Sequence, residues 1–248
     1  FKKKNPELNF KRVREEKPGL SNARNCGIDQ STTGLIAFMD DDAVATPDYA
    51  LQILECTESH PGYRYFGGKV LPVYESGQEP EWMSKYLQKL VSKVDAGEKA
   101  GPFTGNAYPV GCNMIFRKDV FERYGQFNPQ LEQRSDDKYI YHLMKDNGVK
   151  PFYCPGIILY HNIEKWRTEE SNIRRLARRN GIEERIRVGG LNRIGGWLKL
   201  VEYLFKYTIS VFLFIGYAFK GKRVKGKYLL LVFRNAIGGF FQNPERVE

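Results

Sequence analysis

An apolar segment that runs directly into three carboxylates constrains the fold of this chain most. Residues 35–39 read LIAFM and are followed by Asp40, Asp41 and Asp42. A short, uninterrupted apolar run of this kind is typical of a strand that is buried on both faces of a sheet. Proline is well accommodated in a first helical turn, so Pro47 after Thr46 predicts a helix over residues 47–60.

The same alternation of strand and helix continues along the chain. Helices are predicted over residues 21–31, 81–94 and 136–147, and strands over residues 64–74, 112–117, 150–154 and 157–160. Regular alternation favours an α/β fold, in which a Rossmann-like mixed sheet is flanked by helices.

Composition and cysteine spacing narrow the class of protein. Of the 248 residues, 42% are hydrophobic, which is enough to bury a core and excludes a disordered, collagen-like or coiled-coil chain. Four cysteines (Cys26, Cys56, Cys112 and Cys154) lie far apart and form no CxxC pair. This spacing argues against a zinc ribbon or a disulfide scaffold and favours a reducing compartment.

The net charge of +10 is unevenly distributed. Residues 1–163 contain 21 Lys and Arg against 21 Asp and Glu, whereas residues 164–248 contain 18 against 8. The basic excess of the last third indicates contact with an anionic partner, although a solvated basic face has the same composition.

The three aspartates after the apolar strand are the strongest candidate for a functional site. Ligands of open α/β sheets bind beyond the carboxyl ends of strands, and a divalent cation offsets the repulsion between adjacent carboxylates. The alternative is an exposed acidic turn before the next helix, whose N-terminus favours negative charge; Asp48 already fits that description.

The segment GLSNARNCGIDQSTTGLIAFMDDDAVATPDY resembles the centre of the family 2 glycosyltransferases, which have the GT-A fold. The stretches GCNMIFRKDVFERYGQFNPQL and SDDKYIYHLMKDNGVKPFYCPGIILYHNI are similar to later motifs of that family, and they occur in the family's order. The resemblance covers about residues 8–167. It implies a nucleotide-sugar donor and a Mg²⁺ or Mn²⁺ ion.

The resemblance also assigns the donor and metal residues. Asp40 and Asp41 lie on the donor side, Asp40 near the ribose, and Arg24 faces the nucleotide. Asp42 holds a metal that bridges the diphosphate, which would stabilise the charge of the departing nucleotide. His161 is placed near that metal, and Arg167 binds the pyrophosphate with its planar guanidinium. As alternatives, His161 is a structural residue and Arg167 a surface arginine.

The catalytic base is expected at Asp136, where the family has the aspartate of a Glu-Asp pair. Here Ser135 replaces the glutamate and Asp137 follows, so Asp137 is the base if the alignment shifts by one residue. A single base is compatible with inversion by direct displacement. The alternative is that Ser135 or Asp136 only caps the helix that begins there.

The family's acceptor pocket corresponds to Gly111, Cys112 and Asn113, where small residues leave space. Trp82 is a further candidate, because an indole stacks on a sugar face, although a tryptophan in an amphipathic helix is more often part of a core. The family also has strand, loop and helix units that bind the nucleotide base before the segment that begins at Leu8. The sequence is therefore expected to lack an N-terminal part of the catalytic domain.

The C-terminal part of the chain changes in character. Residues 197–219 are apolar except for Lys199, Glu202 and Lys206, and the uninterrupted run of residues 207–219 is shorter than the ~20 residues of a membrane span. Five cations follow within residues 220–227, and a second apolar run occupies residues 228–241. This pattern predicts amphipathic helices on an anionic membrane surface; a helical hairpin packed on the catalytic core is the alternative.

Together these features predict three regions: a catalytic domain over residues 1–167, a basic helical linker over residues 168–195, and C-terminal helices over residues 196–248. The predicted function is an inverting, metal-dependent glycosyltransferase in cell-surface polysaccharide synthesis. It would act at the cytoplasmic face of the plasma membrane on a glycan or lipid-linked acceptor. One alternative is a non-catalytic, membrane-associated glycan- or nucleotide-binding protein. A nucleic-acid binder is disfavoured, because the arginines of residues 174–179 lack interleaved aromatics.

Overall fold

The computed structural model describes residues 10–105, 107–131 and 135–242. Six strands in these ranges form one mixed sheet in the order β1, β5, β3, β6, β2, and β4 also pairs with β6. The β3 and β6 pair is parallel and the other pairs are antiparallel. The strands are β1 (Leu35–Phe38), β2 (Ala43–Ala45), β3 (Tyr65–Tyr74), β4 (Gly101–Pro102), β5 (Met114–Arg117) and β6 (Pro151–Ile163).

Helices flank the sheet, and further helices follow its last strand in the sequence. They are α1 (Leu20–Gln30), α2 (Tyr49–Ser59), α3 (Asp119–Tyr124), α4 (Asp136–Asp146), α5 (Glu170–Arg187), α6 (Ile194–Phe219) and α7 (Arg223–Phe240). The described chain also has 3₁₀-helical turns at Gln88–Val91, Gly111–Asn113 and Lys165–Thr168. The predicted α/β architecture is therefore confirmed.

Alternating side chains of the strands build a core on each face of the sheet. Met114 and Phe116 of β5 pack with Ile140 of α4 on one face. Ile115, between them in sequence, packs with Ile53 of α2 on the other face. Because successive side chains of a strand point to opposite faces, this four-residue strand contributes to both cores.

The expectation that residues 35–39 form a strand buried on both faces is wrong. β1 lies at the edge of the described sheet and pairs with β5. Ile36 is buried, but its neighbour Ala37 is exposed. An apolar run this short does not distinguish an edge strand from a central one.

The helix predicted over residues 81–94 is also wrong. This segment consists of turns and the 3₁₀ turn Gln88–Val91, and Ser92 has the left-handed φ of 57°. Its apolar side chains Trp82, Leu87 and Val91 are nevertheless buried, in a core shared with α5 and α7. Burial of these side chains outweighs the local helical spacing that the sequence shows.

A disulfide joins Cys56 of α2 to Cys154 of β6, with a Cα–Cα distance of 6.5 Å. The two cysteines are 98 residues apart in sequence, and the tertiary fold alone brings them together. Cysteine spacing did not indicate this bond.

The three C-terminal helices form a layered group in which α7 packs against both α5 and α6. Gly181 of α5 and Gly239 of α7 lie at close backbone contacts between these two helices, where a Cβ atom would collide with the opposite main chain. No helix in the described ranges is both long and apolar enough to cross a bilayer.

Candidate active site

A cavity of about 970 Å³ lies between the end of the sheet, α4 and α5. It brings together eight of the residues predicted from the sequence, and adds side chains of α5 and α6. The predicted residues that line it are Arg24, Asp40, Gly111, Cys112, Asp136, Asp137, His161 and Arg167.

Strand pairing brings Asp42 to His161, which is far away in sequence. β2 and β6 pair in a register that places Ala43 opposite His161, and the backbone N–H of Asn162 donates to the Asp42 carbonyl oxygen at 3.0 Å. Asp42 Oδ1 consequently lies 3.2 Å from His161 Nε2. Arg167, just after β6, forms an ion pair with the other carboxylate oxygen, Oδ2.

The contact between Asp42 and His161 is suited to a cation. His161 Nδ1 lies 3.3 Å from the Val91 carbonyl oxygen, which only accepts, so this nitrogen carries the proton. A neutral imidazole then presents the Nε2 lone pair to a carboxylate oxygen, an arrangement that either a second proton or a metal ion between the two atoms stabilises. Within the described ranges, no three His, Cys, Asp or Glu side chains are close enough to hold a metal by themselves. The remaining ligands would thus be phosphate oxygens and water, which is how Mg²⁺ is commonly held.

Asp40 is the second carboxylate of this cluster. Burial raises the pKa of Asp40; Arg24 opposes the rise and Asp42 adds to it. The Arg24 guanidinium lies 3.4 Å from the Asp40 carboxylate. Asp40 and Asp42 are neighbouring carboxylates, one of them with a raised pKa, and together they form a region of negative potential that stabilises a bound cation.

Arg24 connects this pair of carboxylates to α4. Its guanidinium is 6% exposed and forms an ion pair with Asp136, the first residue of α4. Ser135, the N-cap residue, makes no capping hydrogen bond through its side chain, and the Asp136 carboxylate is paired with Arg24. A Cβ atom at Gly111 would lie 2.6 Å from Arg24 Nη2. Glycine at this position therefore leaves room for the arginine.

Asp137 occupies a different environment from Asp136. It lines the cavity and is partly exposed, and no cationic side chain of the described residues lies within ion-pair distance of its carboxylate. Its negative charge acts on neighbouring groups. Burial raises the pKa of Tyr108 well above its usual value, and Asp137 adds to that rise. Of the two carboxylates, Asp137 is thus the one available to accept a proton from a ligand in the cavity.

Four predicted residues are not among those that line the cavity, and one of them, Asp42, contacts the lining residues His161 and Arg167. Trp82 is buried against α7, where its ring stacks on Tyr228 at 5.1 Å and its Nε1–H donates to the Thr168 carbonyl oxygen at 3.0 Å. Asn113 is buried beneath the cavity, and its Nδ2 donates to the Lys69 carbonyl oxygen at 3.0 Å. Asp41 is exposed to solvent.

The cavity has further lining residues, which sequence reasoning missed. Lys138, Glu184 of α5 and Tyr203 of α6 line it, together with Arg175 and Arg178. The basic composition of residues 174–179 was the one available signal, but it did not reveal which arginines face the cavity. Nothing in the sequence indicated that Ile173 and Ala177 of α5 share a core with Ile163 of β6.

Comparisons with known proteins agree on the class of fold. The sequence model of the family described as "Glycosyl transferase family 2" matches residues 1–125. The Glucosyl-dolichyl phosphate glucuronosyltransferase of Haloferax volcanii is 26% identical over 163 residues, which cover 62% of this chain and 51% of that protein. The chain therefore matches only about half the length of this curated relative.

A solved structure is similar over most of the chain. The mannosyltransferase PcManGT of Pyrobaculum calidifontis, solved in complex with GDP-Man and Mn²⁺, superposes with a TM-score of 0.52 at 16% identity. The match covers 93% of this chain and 70% of that one. This likeness confirms the expected fold, a mixed sheet flanked by helices as in the GT-A glycosyltransferases.

Proposed function

Because this chain belongs to glycosyl transferase family 2, we propose that it transfers a sugar from a nucleotide-sugar donor to an acceptor bound in the same cavity. The observation that carries this proposal is the convergence of two groups at one cavity. Asp42, His161 and Arg167 are the groups suited to a metal and a diphosphate, and Asp137 lines the same cavity with no cationic side chain of the described residues within ion-pair distance.

The donor site is proposed to hold Mg²⁺ or Mn²⁺ between Asp42 and His161. Such an ion would withdraw electrons from the diphosphate as the nucleotide departs. Arg167 binds the diphosphate with its guanidinium, and Arg24 holds Asp40 in place beside it. PcManGT, whose structure contains GDP-Man and Mn²⁺, supports the choice of a nucleotide-sugar donor.

Asp137 is proposed as the base that removes the proton of the acceptor hydroxyl. Asp136, which the sequence favoured for this role, is held by Arg24, and an adjacent cation makes a carboxylate a weaker base. A single base in the cavity implies direct displacement and inversion of the anomeric centre.

The first experiment measures metal-dependent nucleotide binding. Asp42→Ala is expected to weaken the binding of UDP or GDP in the presence of Mn²⁺ by at least about tenfold, because it removes one of two metal ligands. Asp48→Ala, at an exposed aspartate before α2, is the control and should bind as the wild type does. Isothermal titration calorimetry with and without Mn²⁺ gives both numbers, and equal affinities for Asp42→Ala and the wild type would remove the proposed metal site.

Screening a panel of nucleotide sugars with Mn²⁺ for transfer or donor hydrolysis then separates the enzyme from its alternative. A protein that binds nucleotide and Mn²⁺ but turns over no donor in the panel would be a non-catalytic binding protein.

The acceptor is proposed to be lipid-linked, with the reaction at the cytoplasmic face of the plasma membrane in cell-surface polysaccharide synthesis. The name of the Haloferax volcanii relative describes an acceptor that is a dolichyl phosphate derivative. The physical support lies in α6, whose outward face is apolar at a spacing of three and four residues. Its exposed side chains include Ile194, Leu198, Val201, Phe205, Phe212, Ile215 and Phe219.

The charged residues of α6 (Lys199, Glu202 and Lys206) are spaced by three and four residues on another side of the helix, and of these three Lys199 alone is buried. Lys199 is buried and forms ion pairs with Glu184 and Glu202, and Glu202 also pairs with Lys206. The turn that follows α6 contains Lys220 and Lys222, and α7 begins with Arg223. An exposed apolar face beside a cationic turn suits the surface of an anionic membrane.

Vesicle binding tests this surface. Leu198→Gln/Phe205→Gln is expected to reduce binding to vesicles of phosphatidylglycerol and phosphatidylcholine by about tenfold or more, since burying one such side chain contributes about 1.5–3 kcal/mol. Leu51→Gln/Leu54→Gln makes a matched change at two exposed leucines of α2 and should not alter binding. Co-sedimentation gives the partition coefficients, and equal losses in the two variants would contradict a specific role of α6.

A further inference from the structure

We propose that the α5 side of the cavity is a second anion site, which binds the phosphate group of the acceptor lipid. This inference rests on the proposed transfer reaction and concerns lining residues of α5. Arg175 and Arg178 of α5 are its binding residues, and both line the cavity.

These two arginines differ from the arginines of the donor side in their partners. Arg24 and Arg167 each form an ion pair with an aspartate. Arg175 Nη2 instead donates to the amide oxygen of Asn172 at 2.9 Å, and Arg178 Nε donates to that of Gln242 at 2.7 Å. Both partners are neutral. Within the described ranges, no carboxylate lies within 4 Å of either guanidinium. The charge of both groups is available to a ligand.

The balance of charge in the cavity also favours a second anion. Among the described residues, seven lysines and arginines and four carboxylates (Asp40, Asp136, Asp137 and Glu184) line it. Two further carboxylates that are not lining residues, Asp42 and Glu183, pair with Arg167 and Arg179, which leaves the cations in excess by one. A nucleotide-sugar diphosphate carries two negative charges, which a divalent metal neutralises. The excess of cations therefore remains when donor and metal are bound, and a phosphate on the acceptor would compensate it. Guanidinium groups bind phosphate oxygens in pairs, which matches arginine at both positions.

The surroundings of the α5 side of the cavity indicate that the phosphate belongs to a lipid. Tyr203 of α6 lines the cavity, and the next two residues, Leu204 and Phe205, are exposed. The apolar face of α6 therefore begins beside the cavity. A phosphate held by α5 would allow an attached apolar chain to leave along α6, whereas a free phosphate ion would use no part of that face.

The experiment compares three probes on the whole chain: farnesyl phosphate, farnesol and inorganic phosphate. Arg175→Gln/Arg178→Gln removes the two proposed ligands. Arg174→Gln/Lys227→Gln removes the same amount of charge from neighbouring exposed positions, where both cations pair with Glu170 outside the cavity. Calorimetry measures each dissociation constant, and the binding of UDP and GDP with Mn²⁺ is measured in parallel.

The expected result is a loss of farnesyl phosphate affinity of tenfold or more in Arg175→Gln/Arg178→Gln, with less than a twofold change in the control. Nucleotide binding with Mn²⁺ should persist in both, so a failure of this site is distinguishable from a failure of the donor site. The wild type should bind farnesyl phosphate at least tenfold more tightly than farnesol and than inorganic phosphate.

Three outcomes would overturn the inference. Equal affinity for farnesyl phosphate and farnesol would show that the apolar chain alone is bound, and equal affinity for farnesyl phosphate and inorganic phosphate would show that no lipid is selected. An equal loss of farnesyl phosphate affinity in the two variants would show that the effect comes from general positive charge and not from Arg175 and Arg178.

Discussion

Asp137→Asn is expected to lower the turnover number of sugar transfer by about 10²–10⁴-fold, the usual contribution of a general base. Asparagine has nearly the same shape but cannot accept the proton of the acceptor hydroxyl. Because Asp137 has no ion-pair partner among the described residues, its replacement leaves no buried charge behind. The binding of nucleotide and Mn²⁺ should therefore remain within about twofold of the wild type. Rapid-quench kinetics on a donor identified in the panel, together with calorimetry, separates the two quantities.

Two further variants make the assignment of the base specific. Asp146→Asn changes an exposed aspartate at the other end of α4 and should transfer at the wild-type rate. Asp136→Asn should act differently from Asp137→Asn, because it removes the partner of the buried Arg24 and so disturbs the donor side of the cavity. It is expected to weaken nucleotide binding as well as transfer. If Asp137→Asn transferred sugar at the wild-type rate and Asp136→Asn alone lost activity, Asp136 would be the base.

Glu184→Gln is expected to destabilise the folded protein by about 3–5 kcal/mol, the usual effect of removing one member of a buried ionic group. Glu184 is 3% exposed. Its carboxylate lies 2.7 Å from Lys138 Nζ, 2.9 Å from Arg187 Nε and 3.1 Å from Lys199 Nζ. These cations join α4, α5 and α6, so the substitution leaves three positive charges without their shared partner.

The pH dependence of this loss provides a second readout. Burial lowers the pKa of Lys138 to about 8, and Glu184 opposes that decrease. Without the carboxylate, the pKa of Lys138 falls further below its value in the unfolded chain. The folded variant then releases this proton at lower pH than the wild type and gains stability as pH rises. The difference in the free energy of unfolding between variant and wild type should therefore shrink as pH rises toward 8.

Glu202→Gln is the matched control for this prediction. It removes a carboxylate that also pairs with Lys199, but the side chain of Glu202 is 41% exposed. Exposed ion pairs contribute about 0–1 kcal/mol, so a change below about 1 kcal/mol is expected. Urea denaturation at pH 6, 7 and 8 tests both variants. A loss in Glu184→Gln no larger than that in Glu202→Gln would show that the buried group adds nothing to stability.

Local sequence patterns predicted the elements that depend on neighbouring residues. Thr46 and Pro47 indicated the start of α2, and the carboxylates after residues 35–39 indicated the position of the cavity that Asp40 lines. Such features follow from backbone preferences and from the repulsion of adjacent charges, both of which act over a few residues. Trp82 shows the limit of local pattern: its segment has helical spacing, but packing against Tyr228 of α7 decided its conformation.

Non-local pairing decided the roles of individual residues. Asp136 and Asp137 are adjacent and chemically identical in the sequence, and only the position of Arg24 on α1 distinguishes the paired carboxylate from the available one. Similarly, the register of β2 on β6 determines that Asp42 meets His161.

The sequence by itself determined the α/β class, the family and the end of the sheet at which the chemistry is placed. These three properties follow from the periodicity of apolar residues and from motifs, both of which can be read from the sequence alone. Only the tertiary structure decided that α5 turns its arginines into the cavity, that Glu184 joins three helices, and that α6 exposes its apolar face. Each of these depends on which helix packs against which, and that choice is made by side chains distant in sequence that meet only in the folded chain.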